Sequence, residues 1–157
     1  MKLRLLNPTH RLAIDTLAFA KRLRVTASVE YEPGRSNKLV VVANGSPDNR
    51  VILALAHILN GDVVVDIVFP ERKHLAVIEL LNKYTSLGYD RILVVLDQED
   101  MSLEEIHKSI RSRLSGHIEV REGGRLVVVK QSSPRPATIA IAISGLDDDR
   151  FKKHTIE

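Results

Sequence analysis

Two stretches of the chain decide its fold: Lys38-Leu39-Val40-Val41-Val42-Ala43-Asn44-Gly45-Ser46-Pro47-Asp48 and Arg91-Ile92-Leu93-Val94-Val95-Leu96-Asp97-Gln98-Glu99-Asp100. Each begins with a continuous apolar run, typical of a strand buried on both faces, and continues through a polar loop into a helix. Strands that alternate with helices in this way predict right-handed crossovers and parallel pairing. The sequence therefore predicts an α/β fold with three layers, in which helices cover both faces of a mostly parallel, Rossmann-like sheet.

Apolar periodicity predicts further helices and strands outside these two stretches. The helices are predicted at residues 8–23, Arg50–Leu59, Glu71–Tyr84 and Ser102–Leu114, and the strands at Val25–Tyr31, Val63–Phe69, Ile118–Val120, Arg125–Lys130 and Thr138–Ser144. Val25–Tyr31 alternates like an edge strand, and Ser102 with Glu105 forms a capping box. We expect one domain over residues 1–157, in which 1–37 add a helix and a short strand to a core of 38–157.

The composition limits the class of protein. The 157 residues include 23 Lys and Arg, 20 Asp and Glu and no Cys, which gives a formal net charge of +3. This mild excess permits a nucleic-acid partner without requiring one. The lack of Cys excludes disulfides and thiolate metal sites, and it fits a cytoplasmic protein. We expect no signal peptide and no membrane partner, because no apolar run approaches the roughly 20 residues that span a bilayer. The absence of Trp and the abundance of Arg are typical of thermophiles.

Three acids follow the strand that ends at Leu96, namely Asp97, Glu99 and Asp100. In an open α/β sheet, ligands bind at the carboxyl ends of the parallel strands. Mg²⁺ prefers oxygen ligands, so acids in this place indicate a magnesium site. The alternative is a solvated loop whose acids are stabilised by the dipole of the following helix.

The loop after Ala43 has the composition of a phosphate-binding turn. Gly45 permits a sharp turn, and the amides of Gly45 and Ser46 at the start of a helix are suited to hold a phosphate. The loop has too few glycines for a nucleotide P-loop, and no Gly-Lys-Ser/Thr follows. The alternative is a simple turn in which Asp48 caps the helix.

Together these two motifs resemble the Toprim domain of topoisomerases, primases and the overcoming-lysogenisation-defect nucleases. Ala43-Asn44-Gly45-Ser46-Pro47-Asp48 is similar to the family's first motif, a Glu-Gly pair often followed by an Asp, with Asn44 in place of the Glu. Leu96-Asp97-Gln98-Glu99 is similar to its Asp-x-Asp motif, with Glu99 for the second Asp. The tail Phe151–Glu157 also resembles a segment of small Toprim-like proteins of archaea and bacteria. The resemblance covers about residues 38–157.

The resemblance implies phosphodiester chemistry with Mg²⁺ or Mn²⁺. Asp97 is then the main metal ligand, with Glu99 and Asp100 acting directly or through water. The family Glu is read as the general acid/base or as a metal ligand. Asn44 cannot take up a proton, because its side chain is an amide. It is left to position the phosphate or a metal-bound water.

The resemblance also carries a spatial expectation. Asn44 and Asp97 should end neighbouring parallel strands and face one crevice. If the sheet is ordered as in the family, Asp147, Asp149 and Glu157 approach the same edge. The alternative for this acidic run is a solvated turn, because charge runs are commonly just that.

Three functions remain open from the sequence. The first is a Toprim-like protein that binds or cleaves nucleic acid with a divalent metal. The second is a binding module of the same fold without turnover, and the third is a Rossmann-like protein that binds a small phosphorylated ligand. A homo-oligomer is compatible with each of them.

Overall fold

The computed structural model describes residues 1–33, 39–43, 46–59, 61–71, 74–133 and 135–145. Its strands are β1 (Lys2–Leu6), β2 (Ala27–Glu30), β3 (Leu39–Val42), β4 (Val64–Val68), β5 (Arg91–Asp97), β6 (His117–Arg121), β7 (Leu126–Gln131) and β8 (Ala137–Ser144). Its helices are α1 (Arg11–Arg22), α2 (Ser46–Leu59), α3 (Ile78–Ser86) and α4 (Leu103–Arg113). A 3₁₀ turn, His74–Val77, leads directly into α3.

All eight strands belong to one sheet with the order β2-β1-β4-β3-β5-β8-β7-β6. The pairs from β2 through β8 are parallel, and only β8–β7 and β7–β6 are antiparallel. The predicted α/β fold with a mostly parallel, Rossmann-like sheet is therefore confirmed. No helix in the described ranges is long and apolar enough to cross a bilayer.

The two faces of the sheet are covered by different helices. On one face, α1 and α2 pack over a core that includes Leu5, Val41 and Ile67. On the other face, α3 and α4 pack over a core that includes Val94 and Ile141. Adjacent residues of one strand, such as Val40 and Val41, thus belong to different cores, because strand side chains alternate between the faces. We call these the α1/α2 face and the α3/α4 face.

Local signals position two of the helices. Ser102 Oγ accepts from the Glu105 amide at 3.3 Å, and Glu105 Oε2 accepts from the Ser102 amide at 2.8 Å. The predicted capping box is thus confirmed. The predicted start of the first helix near Pro8 is wrong, since α1 begins at Arg11 with His10 as its N-cap. The ring nitrogen Nδ1 of His10 accepts the amide of Leu12 at 3.2 Å.

Three further differences from the sequence analysis concern the N-terminus and two helix starts. Lys2–Leu6 was not predicted as a strand, yet β1 lies between β2 and β4 in the sheet. Asp48 does not occupy the N-cap position, because α2 already begins at Ser46 and Asp48 lies in its first turn. The helix predicted from Glu71 is regular only from Ile78, since the 3₁₀ turn that begins at His74 precedes it.

Candidate functional site

The carboxyl ends of β3 and β5 form a topological switch point. The two strands are parallel neighbours, with Val42 opposite Val94. After β3 the chain enters α2 on the α1/α2 face, and after β5 it enters α4 on the opposite face. Connections that leave neighbouring strands toward opposite faces open a crevice, which is where ligands bind in sheets of this kind. The expected parallel pairing of these two strands is confirmed.

Asp97 lies at this crevice as the last residue of β5. Its register partner on the next strand is Ser144, and Ser144 Oγ donates a hydrogen bond of 2.7 Å to Asp97 Oδ1. The Asp97 side chain is only partly buried. No described residue donates a hydrogen bond to its second oxygen, Oδ2. The carboxylate is therefore oriented by one contact and keeps one oxygen for a ligand.

A second polar contact joins the loops that follow β4 and β5, the strands on either side of β3. His74 Nε2 lies 3.1 Å from Glu99 Oε2. The His74 side chain is 21% exposed, whereas that of Glu99 is 52% exposed. Because β3 lies between these strands, the contact links two walls around the end of β3.

Strained backbone is concentrated at the same edge. Asn7, His74 and Glu99 have φ values of 65°, 56° and 50° and follow β1, β4 and β5. Residues other than glycine adopt such angles rarely, at a cost of about 1–3 kcal/mol each, and often where a binding site requires the geometry. The strain at His74 and Glu99 involves the same two residues that form this polar contact.

Gln98 fixes the base of the loop after β5. It is fully buried, and its Oε1 accepts a hydrogen bond of 3.1 Å from Arg125 Nη1. Its backbone amide donates to Ser144 O at 2.8 Å, and its backbone carbonyl accepts from the Met101 amide at 3.2 Å. A loop held at both its backbone and its side chain presents Asp97 and Glu99 in a defined arrangement.

The three predicted metal-binding acids are not gathered into one cluster. Glu99 contacts His74, and the Asp100 side chain is exposed. Over the described ranges, no group of three or more His, Cys, Asp or Glu side chains is arranged to hold a metal ion. Mg²⁺ needs only one or two protein carboxylates beside water and phosphate oxygens. A cation anchored mainly by Asp97 is compatible with this geometry, and the metal stays a prediction.

Several predicted site residues lie outside the described residues, namely Asn44, Gly45, Asp147, Asp149 and Glu157. Ser46 is the first residue of α2, directly after the β3 loop. The sequence analysis did not select His74 and Ser144. Ser144 ends the last predicted strand, so its place at the carboxyl edge was open to prediction. No pattern in the sequence indicated that His74 would lie at the site.

Comparisons with family models, with curated proteins and with solved structures found no match to this chain. The resemblance to the Toprim domain is thus carried by short sequence motifs alone. A Rossmann-like sheet hosts many unrelated activities, so the function has to be argued from the site.

Proposed function

We propose that this chain is a Toprim-like protein that binds nucleic acid through a divalent cation held beside Asp97. One observation carries the proposal. Asp97 ends a central strand at the switch point between β3 and β5, where its Oδ1 accepts from Ser144 and its Oδ2 receives no hydrogen bond from a described residue. A phosphodiester is a suitable ligand for such a site, because phosphate oxygens complete the coordination of Mg²⁺ or Mn²⁺.

The contacts of the three acids support different roles for them. Asp97 is the direct ligand, whereas Glu99 and Asp100 act through water, since one contacts His74 and the other is exposed. A bound cation would neutralise charge on the phosphate and activate a water molecule. His74 keeps Glu99 in place at the rim of the crevice. Ser144 sets the orientation of the Asp97 carboxylate.

Hydrolysis would require a proton carrier at this site. The resemblance assigns proton transfer to a glutamate at the position of Asn44, and an amide does not carry out that step. We therefore favour binding with little or no cleavage, at a cytoplasmic location. The net charge of +3 is consistent with a nucleic-acid partner whose phosphates supply part of the affinity.

The test is nucleic-acid binding measured by fluorescence anisotropy, with Mg²⁺ or with a chelator, at fixed salt. We expect a component of binding that requires the metal and that Asp97→Asn removes. Glu104→Gln is the matched control, because Glu104 is an exposed acid in the first turn of α4. Equal losses of affinity in the two variants, or the same affinity with Mg²⁺ and with the chelator, would contradict the proposal.

A second candidate function is the binding of a small phosphorylated ligand at the same edge. The observation that favours it is the start of α2 at Ser46, immediately after the β3 loop at the switch point. The amides and dipole at a helix N-terminus attract phosphate. A nucleotide that raises the melting temperature, when DNA and RNA do not, would select this function over the first.

A further inference from the structure

The α1/α2 face of the sheet is covered over only half of its width. The core beneath α1 and α2 takes its fully buried strand residues from β1, β3 and β4, for example Leu3, Val41 and Val65. Across β5, β8 and β7, the residues that point to this face are partly buried or exposed, in contrast to their neighbours on the other face. The apolar members of this open sheet area are Leu93, Val95, Ala140, Ala142, Leu126 and Val128.

The flank of α2 beside this open area is also apolar and exposed. Arg50 and His57 face α1, because the Arg50 guanidinium lies 5.1 Å from the Phe19 ring and His57 Nδ1 lies 3.0 Å from Leu23 O. With about 100° between successive helix residues, the opposite flank carries Leu55 and Leu59. These side chains are 43% and 64% exposed.

The two parts form one continuous surface, which we call the open face. Its wall is the α2 flank, and its floor is the partly buried sheet area of β5, β8 and β7. Leu93 belongs to the floor and packs against the core beneath α2, so the wall and the floor meet there. Contiguous exposed apolar surface of this kind typically marks a site of association.

The rim of the open face is charged with both signs. On the β6 side, Glu119 contacts Lys130 at 2.9 Å and also pairs with Arg121. At the amino end, Arg91 lies 3.4 Å from Asp90. An apolar centre within a polar rim is the usual anatomy of a protein interface, and mixed signs let a surface face its own copy without strong repulsion.

We infer that a second copy of this chain docks on the open face in a two-fold arrangement. Three strands about 4.8 Å apart and about seven residues long give a floor of about 330 Å². The α2 flank, about 20 Å long and about 10 Å wide, adds about 200 Å². Two copies would bury about 1,050 Å² in total, which is just above the roughly 1,000 Å² that a biological interface requires. A two-fold contact needs no other partner, because one patch serves both copies.

The sequence of residues 146–157 argues against this segment as the occupant. It contains Leu146, Phe151 and Ile156 as its only large apolar residues, each five positions from the next. That spacing matches neither the helical period of 3.6 nor the strand period of 2, so it does not supply an apolar stripe for a surface of this size.

The experiment measures the mass of the full chain by sedimentation equilibrium over a range of concentrations, without metal or nucleic acid. We expect a dimer that Leu55→Glu weakens by at least about 100-fold in dissociation constant, since each copy would bury an unpaired carboxylate. Leu87→Glu is the matched control, because Leu87 is 52% exposed and follows α3 on the opposite face. A monomer at every concentration, or a dimer equally weakened by both variants, would overturn the inference.

Thiol labelling of the variant Ala142→Cys identifies what covers the floor, since the natural chain has no cysteine. Labelling that slows as the protein concentration rises supports a second copy. Slow labelling of a monomer would show that the chain covers its own floor, and fast labelling at all concentrations would show that nothing does. Both of these results overturn the inference. Asp97 lies on the same face of the sheet, at the carboxyl end of the floor, so metal-dependent binding there is measured separately.

Discussion

Two aspartates in central strands of one sheet have opposite surroundings. Asp66 in β4 is fully buried, and it accepts a hydrogen bond of 2.5 Å from the Tyr89 hydroxyl and lies 3.3 Å from Arg4 Nε. Asp97 at the end of β5 is partly exposed, and among the described residues only Ser144 donates a hydrogen bond to it. The first carboxylate is enclosed by groups of its own chain. The second carboxylate keeps one oxygen, Oδ2, that can coordinate a ligand at a crevice.

This difference separates a residue that stabilises the fold from one suited to a ligand. Burial, followed by the hydrogen bond to Asp66, holds the pKa of Tyr89 above its ordinary value, so its hydroxyl remains a donor. Arg4 and Asp66 are register partners on β1 and β4, and their pairing permits two charges inside the sheet. A buried carboxylate requires such partners. Asp97 is partly exposed at the crevice, so solvent can reach its carboxylate without such partners.

The largest expected effect is on stability, at Asp66. Asp66→Ala should lower the free energy of unfolding by about 3 kcal/mol, because it leaves the Arg4 charge largely enclosed without its partner. Asp97→Ala should cost less than about 1 kcal/mol, since it removes one hydrogen bond at a partly exposed site. Urea denaturation of both variants checks this contrast. Similar losses of unfolding free energy at the two positions would contradict this contrast.

The next largest effect is on activity, at the strand beside Asp97. If the crevice is a degenerate Toprim site, Asn44→Glu should restore a proton carrier and raise metal-dependent cleavage of nucleic acid by about 100-fold or more. The control is the double variant with Asp97→Asn, which should show no gain. An unchanged rate in Asn44→Glu, with nucleic-acid binding intact, would count against assigning the two residues to one site.

A smaller effect on stability isolates the hydrogen bond to Asp66. Tyr89→Phe should cost about 2 kcal/mol, because it removes a donor from a buried carboxylate. Tyr84→Phe is the matched control: its ring packs edge-on against Tyr89 with centroids 6.4 Å apart, and its hydroxyl does not bond to Asp66. Equal costs for the two variants would show that ring packing, rather than the hydrogen bond, stabilises this region.

The smallest effect is on the pH dependence of stability, and it concerns Glu119 at the rim of the open face. Hydrogen bonds from Lys130 and Arg121 lower the pKa of Glu119 from 4.5 to about 2. A lowered folded-state pKa means stability that is present above pH 4.5 and is lost as the pH falls toward 2. Glu119→Gln should therefore flatten the melting temperature between these pH values, whereas Glu104→Gln should not. An identical pH profile for Glu119→Gln and the natural chain would contradict the assignment.

Much of the fold was predictable because its signals are local. The apolar runs of β3 and β5 and the capping box of α4 depend on neighbouring residues. The strand β1 was not predicted, although Lys2-Leu3-Arg4-Leu5 alternates like a half-buried strand. The partner that accommodates Arg4 in the sheet, Asp66, lies far away in sequence. The irregular start before α3 was missed because the positive φ of His74 is a property of the folded chain.

The candidate site was predictable only in part. Asp97 follows an apolar strand, so its place at the carboxyl edge could be predicted from the sequence. Its contact with Ser144 depends on β8 lying next to β5, an order that the sequence does not state. The contact between His74 and Glu99 requires two loops from different strands to meet. Site geometry of this kind depends on tertiary packing rather than on local pattern.

The cation beside Asp97 can be tested directly with a crystal of the protein soaked in Mn²⁺ and measured at the manganese absorption edge. We predict anomalous density next to the Asp97 carboxylate, and its disappearance in a crystal of Asp97→Asn. Manganese bound only elsewhere on the molecule, or none bound with the crevice open to solvent in the crystal, would contradict a metal site at this edge of the sheet.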